Sequence, residues 1–350
     1  MARRVLFVQT AFLGDAVLAT AAWEVWHAHF PEDEIGVVVR KGNEGLFDGH
    51  PWLGVGAVHV WAKSQPGRYL RLIALGLQLR GRYDCVIAIQ RHASSGILAL
   101  LSGALLRIGY ATHPLAWTFH RAVDHVLGDG RHETERLHDL VTAAAAALAS
   151  RSGTPAPTLP PALPRLYPAP QHVAAAAPYL AGPAPVVLAP ASVWATKQWP
   201  EERWVELGRI LKTNDFSRPI VLIGGPSDRP LLARIAHGIG GAVIASTDLL
   251  GTAALLSGAA ALVANDSGPV HIASSVGCPT VAVFCSTVPA FGFGPLAPGS
   301  VVVEESLSCR PCGAHGHRTC PLGHFDCGHR ITAARVAAAC EEATSFCRSL

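Results

Sequence analysis

The chain has 350 residues, of which 50% are hydrophobic and 15% charged, with a formal net charge of +3. The length exceeds one ordinary hydrophobic core and points to two domains, and the apolar content excludes a disordered chain. The small net charge excludes a dedicated nucleic-acid binder, although local basic clusters are still able to receive an anionic substrate.

The start, MARRVLFVQTAFLGDAVLATAAW, imitates a signal peptide, but Gln9, Gly14 and Asp15 interrupt its apolar run, and it reads better as strand, loop and helix. After the strand RVLFVQ come a helix over DAVLATAAWEVWHAHFP, the strand EIGVVVR, a helical NEGLFDG, the strand VGAVHVW, a helix around 68–81 and the strand YDCVIAIQ. Such alternation predicts a parallel, doubly wound sheet. ILALLSGALL at 97–106 is among the longest apolar stretches and falls short of the about 20 residues needed to span a bilayer. The expectation is a cytoplasmic protein, with peripheral attachment to the inner membrane face open to it as an enzyme meeting a lipid substrate.

Between 151 and 185 proline becomes dense and periodicity weak, which predicts a linker, bounded here as 166–183, with one short helix over 171–181. The alternation then restarts with PVVLAP, PEERWVELGRILKT, PIVLIGG, PLLARIAHGI, AVIAST, LLGTAALLSGA, ALVAND, GPVHIASSVG and PTVAVFC. Two Rossmann-like halves are therefore expected, 1–165 and 184–350, facing each other across a hinge.

In open parallel sheets ligands bind beyond the carboxyl ends of the strands. ALVAND ends a strand, Ser267-Gly268-Pro269 turns, and VHIASSVG begins a helix whose free amides are suited to phosphate oxygens. Gly268 permits close backbone approach, and Asp266 is able to accept hydrogen bonds from sugar hydroxyls. The competing reading is an Asp/Ser helix cap, and His271 alone reads equally as a half-buried histidine. The loop after VVLAP holds Ser192, Thr196 and Lys197, a lysine placed to neutralise a diphosphate or simply exposed. VLIGGPSDRP puts Gly224 and Gly225 at a third strand end, with Asp228 after them.

FLGDAVLAT, KQWPEERW and NDSGPVHIASSVGCPTVAVF, in that order over nearly the whole chain, resemble the heptosyltransferase family, enzymes that add heptose from ADP-heptose to the inner core of lipopolysaccharide. The resemblance implies a GT-B architecture with an amino-terminal acceptor domain, a carboxyl-terminal nucleotide-sugar domain and an active site in the cleft between them. It implies inversion at the anomeric carbon without a catalytic metal, with Asp15 as base, Lys197 on the diphosphate, and Asp266, Ser267, Gly268 and His271 around nucleotide and sugar. Inverting transfer needs a carboxylate for the acceptor proton and a cation for the departing diphosphate. Asp15 also falls where a helix N-cap would lie.

On the acceptor side, Arg40 ends the second strand, and Gln90, Arg91 and His92 follow the fourth, where basic groups suit an anionic lipid-linked saccharide. Three other readings stay open: a GT-B-like nucleotide-sugar isomerase, a transferase using another nucleotide sugar, and a non-catalytic nucleotide-sugar-binding protein. Of nine cysteines, Cys309, Cys312, Cys320 and Cys327 form C-x2-C-x7-C-x6-C, which suggests a structural zinc, with an iron–sulfur site or reduced thiols as alternatives.

Overall fold

The computed structural model describes residues 2–213 and 218–346; Cys347 lies outside them. It divides into two compact units, Met1–Leu127 with Glu133–Tyr167 and Gly128–His132 with Pro168–Leu350. The first unit runs β1 (Arg4–Gln9), α1 (Leu13–His29), β2 (Glu34–Arg40), β3 (Val58–Trp61), α2 (Arg68–Gln78), β4 (Cys85–Ala88), α3 (Ala93–Leu101), β5 (Leu106–Tyr110), β6 (Arg121–Val123) and α4 (Glu133–Ser152). Its six strands are parallel in the order β3-β2-β1-β4-β5-β6.

The second unit begins with α5 (Pro170–Ala176), β7 (Val186–Ala189), α6 (Glu201–Thr213), β8 (Ile220–Leu222), α7 (Arg229–Ile239), β9 (Val243–Ile244) and α8 (Leu249–Ser257). It continues with β10 (Ala261–Asn265), α9 (Gly268–Ser275), β11 (Thr280–Phe284), β12 (Val301–Glu304), α10 (Asp326–His329) and α11 (Ala333–Phe346). These six strands are also parallel, ordered β12-β11-β10-β7-β8-β9. The α/β class and the two doubly wound sheets are as the alternation requires. Chain order reverses between β1 and β4 in one sheet and between β7 and β10 in the other, which are the crevices where such folds bind ligands.

The central strands are unbroken apolar runs because helices cover both of their faces. Val5 to Val8 of β1 and Ala261 to Ala264 of β10 are wholly buried. Tryptophans fill the remaining space, and three of them spend their N–H groups inside, whereas the buried Trp23 Nε1 has no partner among the described residues. Trp26 donates to Asp33 at 3.1 Å in the first unit. In the second, Trp199 donates to the Ile331 carbonyl at 3.1 Å and Trp204 to the Trp199 carbonyl at 3.2 Å. The tryptophans of KQWPEERW are therefore core residues that fix the loop carrying Lys197.

The expected linker at 166–183 needs correction. α5 packs on α8 with Ala176 fully buried, so most of this stretch is built into the second unit. The proline-rich residues before it are strapped to the first unit: the Leu159 carbonyl lies 2.8 Å from His138 Nε2, the Arg165 amide donates to Thr20 Oγ1 at 2.8 Å, and the Tyr167 hydroxyl donates to Glu24 at 2.8 Å. Proline's missing N–H leaves no ladder to form, and side-chain partners take its place. Among the described residues, no helix is long and apolar enough to cross a membrane.

Candidate functional site

Lys197 and Asp266 meet at the strand-order reversal of the second sheet. After β7 the chain passes Ser192 into a 3₁₀ turn over Ala195–Lys197 and then enters α6. Asn265, the buried last residue of β10, clamps this loop: its Oδ1 accepts the Trp199 amide at 2.9 Å and its Nδ2 donates to the Pro190 carbonyl at 2.7 Å. Lys197 Nζ consequently lies 2.6 Å from Asp266 Oδ2, with their side chains 15% and 8% exposed. Thr287, just past β11, donates to the same Oδ2 at 2.6 Å. An ammonium has three donors, so Lys197 retains two for anionic oxygens after pairing with Asp266.

Asp266 does not cap the following helix. Ser267 is the N-cap of α9, with extended backbone and no side-chain cap bond; its hydroxyl donates to the Asn265 carbonyl at 3.2 Å. The amides at Gly268 and beyond are thus left without a side-chain cap, as an anion-binding helix start requires. His271 lies one turn inside and is buried. Burial above all, and then the charges of His132 and Lys197, push its imidazole down to about 3, so it is neutral at physiological pH, and its Nδ1 has no hydrogen-bond partner.

The other expected donor residues divide. Gly224 and Gly225 are exposed at the end of β8, and Asp228 Oδ2 accepts the Gly225 amide at 2.8 Å, which commits that carboxylate to its own turn. Ser192 offers its carbonyl to Gln198 Nε2 at 2.6 Å. Thr196 is buried, donating to Ser286 Oγ at 3.0 Å and accepting the His317 amide at 2.7 Å. It is a brace, not a surface a ligand reaches.

That brace draws in the cysteine-rich segment, a connection the sequence reading lacks. Gly316 lies so close to the Lys197 loop that a Cβ there would meet Lys197 Cγ and Trp194 Cβ at 2.8 Å. Trp194 stacks parallel to His315, and the Cys312 amide donates to the Ser286 carbonyl at 3.0 Å. Arg310 is held between the Phe284 carbonyl (3.1 Å), the Thr287 carbonyl (2.5 Å) and Glu304 (2.9 Å). Among the described residues, no three His, Cys, Asp or Glu side chains converge as ligands of a metal ion. Cys309, Cys312, Cys320 and Cys327 therefore do not stand as the closed tetrahedron their spacing suggests. They do lie within electrostatic reach: burial, and then Cys312 with further help from Cys320 and Cys309, pushes the Cys327 thiol up to about 11.

The reversal of the first sheet is built differently. Asp15 is the third residue of α1, whose N-cap is Phe12, so it is a first-turn acid and not the cap expected of it. Gln9 Nε2 donates to the Asp15 carbonyl at 3.3 Å. Gln90, expected to face a ligand, is buried and accepts Thr10 Oγ1 at 2.9 Å, tying the end of β4 to the end of β1. Arg91 and His92 are exposed. Arg40 lies 5.3 Å from the centre of the Phe12 ring and donates to Ser64 Oγ at 3.3 Å. Lys63, which the sequence reading missed, belongs with it: burial, and then Arg40 and Arg68, push its ammonium below the usual lysine range.

Two doubly wound units, with a paired lysine and a helix start at the reversal of the second, are those of a GT-B architecture. Residues 72–324, well over half of the chain, match the model of glycosyltransferase family 9 (heptosyltransferase), and the chain belongs to that family. It is 28% identical over 326 residues to lipopolysaccharide heptosyltransferase 1 of Pseudomonas aeruginosa, covering 88% of this chain and 86% of that one. Among solved structures it is similar to Escherichia coli ADP-heptose lps heptosyltransferase II, with a TM-score of 0.76, 19% identity and 99% of both chains covered. It is also similar to E. coli heptosyltransferase WaaC with ADP, with a TM-score of 0.69, 23% identity and 99% and 100% covered.

Proposed function

We propose that this glycosyltransferase moves a heptose from ADP-heptose to an anionic inner-core saccharide of lipopolysaccharide, with inversion at the anomeric carbon and peripheral contact with the inner membrane face. The observation that carries the donor side is the Lys197–Asp266 pair, 2.6 Å apart at the reversal of the second sheet. The remaining N–H donors of Lys197 and the amides at the start of α9 take the diphosphate oxygens. Asp266, oriented by Lys197 and Thr287, takes a hydroxyl of the donor. Neutral His271 adds an uncharged hydrogen-bonding group without repelling the lysine.

In the reaction the acceptor oxygen forms its bond to the anomeric carbon as the bond from that carbon to the diphosphate oxygen breaks. The acceptor proton passes to the Asp15 carboxylate, and the negative charge appearing on ADP is met by Lys197. Arg40 and Lys63, with Arg91 and His92, supply cations for the acceptor. This chemistry asks nothing of a metal at the reacting atoms. A structural zinc at Cys309, Cys312, Cys320 and Cys327 is a separate proposal, supported by four thiols within electrostatic reach on a segment that braces the lysine loop; about one metal per chain by elemental analysis would uphold it, and metal-free protein of full stability would end it.

The donor reading is tested by calorimetric titration of ADP into the wild type and Lys197→Ala. The expected result is an affinity loss of about 10- to 100-fold, the scale of a lost charge-assisted contact to phosphate. Equal affinity of the two proteins would remove Lys197 from the diphosphate.

A further inference from the structure

The surface that stands out beyond the strand ends is α2. Its inner face is Leu72, Leu75 and Gly76, and Gly76 lets α3 come so near that a Cβ would meet Leu101 Cβ at 2.7 Å. A helix held to its sheet by one apolar face ordinarily shows charge to water on the other. Here the outer side carries Tyr69, Leu70, Ile73 and Leu77, which are 61%, 75%, 44% and 52% exposed. Leu70, Ile73 and Leu77 follow the i, i+3, i+7 spacing that aligns side chains along one helix face. Leu100 on α3 is exposed as well.

Charge identifies what this stripe meets. From 62 to 83 the chain holds Lys63, Arg68, Arg71, Arg80 and Arg82 and not one Asp or Glu. Among the described residues, none of these cations is in an ion pair with a carboxylate. Arg68 instead lies over the Tyr69 ring at 4.8 Å and donates to its hydroxyl at 3.2 Å. A second copy of the chain docking on this face about a twofold axis would bring the same cations together. An anionic bilayer satisfies both features, with side chains entering the acyl boundary and guanidiniums on headgroup phosphates.

We infer that the outer face of α2 is the membrane-docking surface, inserting Tyr69, Leu70, Ile73 and Leu77 among anionic phospholipids while Arg68, Arg71, Arg80 and Arg82 hold their phosphates. This rests on the peripheral membrane contact proposed above and is independent of donor and acceptor identity. Because α2 runs back from the carboxyl edge of the sheet, its first turn lies at the edge that bears Arg40 and Lys63. Docking there sets the proposed acceptor cations at headgroup level.

The test is co-flotation of the whole protein with vesicles of phosphatidylglycerol and phosphatidylcholine, or of phosphatidylcholine alone. The wild type floats with the anionic vesicles only and is released by salt. The Leu70→Glu/Ile73→Glu variant, altered at exposed positions and checked for an unchanged melting temperature, binds about tenfold less or weaker still. Arg71→Glu/Arg80→Glu loses the salt-sensitive part of binding. A wild type that binds neither vesicle overturns both the membrane contact and this face. Equal flotation of the wild type and the Leu70/Ile73 variant overturns the face alone. A wild-type dimer that the same variant splits into monomers gives the face to a second copy and also overturns the inference.

Discussion

The two units share a strand order and differ in what they hold at its reversal. In the second, two partners converge on one carboxylate oxygen, Lys197 and Thr287 on Asp266 Oδ2, beside a loop clamped by Asn265. In the first, neutral groups tie the strand ends together, Gln90 with Thr10 and Gln9 with the Asp15 carbonyl, Asp15 is the acid in the first turn of α1, and the cations Arg40, Lys63 and Arg91 lie at the ends of β2, β3 and β4. A preassembled charged site suits a ligand of fixed shape such as a nucleotide diphosphate. Separate cations at several strand ends, with one first-turn acid, suit a larger anionic ligand that arrives from a surface. The same fold is thus furnished differently at its two reversals because the loops, not the sheets, carry the chemical side chains.

The sharpest way to break this division is Asp15→Asn. If the first unit supplies the base, turnover falls by roughly 10²–10⁴-fold while ADP affinity, a property of the second unit, stays at the wild-type value; steady-state kinetics beside calorimetry read both. Wild-type-like turnover would return Asp15 to a first-turn residue favoured by the helix dipole.

A smaller effect sharpens the claim that the cysteine-rich segment braces the donor loop. Gly316→Ala places a methyl 2.8 Å from Lys197 Cγ, so the loop must shift; ADP affinity should drop about tenfold with little loss of melting temperature. Unchanged affinity would separate the segment from the donor site.

The smallest effect is on pH dependence. His271 has a folded value of about 3 against 6.5 for the free side chain. The unfolded chain therefore binds a proton that the folded chain refuses, and stability is lost as pH falls from 6.5 towards 3, by at most about 1.4 kcal/mol per pH unit from this group. His271→Gln should flatten that slope in urea unfolding at pH 7 and pH 5. An unaltered slope would mean that His271 is not the neutral, buried group described.

Much of this was legible because each chemical residue follows an apolar run that reads as a strand. Asp266, Ser267 and Gly268 directly follow β10, and Lys197 lies in the loop between β7 and α6, so the strand-end rule finds them. That rule does not say who meets whom. The Lys197–Asp266 pair, Thr287 on the same oxygen and Gly316 against Lys197 join residues far apart in sequence, and no local pattern announces them. Nor does the strand-end rule announce the bond from Thr10, just past the end of β1, to Gln90 Oε1. α4 has a helical period, with Leu137, Leu140, Val141, Ala144 and Ala145 buried, but alanine supplies much of it and gives little apolar contrast in the sequence. The proline-rich stretch read as a linker because its partners, Thr20 and Glu24, belong to another helix. The cysteine spacing suggested a metal site, whereas ligand convergence is a property of the folded segment alone.

The central claim, heptosyl transfer from a nucleotide donor held at Lys197 and Asp266, is tested most directly by following ADP-heptose with the wild-type protein by NMR, with and without an inner-core lipopolysaccharide acceptor. The account predicts ADP release only when acceptor is present, with the new glycosidic bond inverted relative to the donor. ADP release at the same rate without acceptor, or a product that keeps the donor's anomeric configuration, would contradict it.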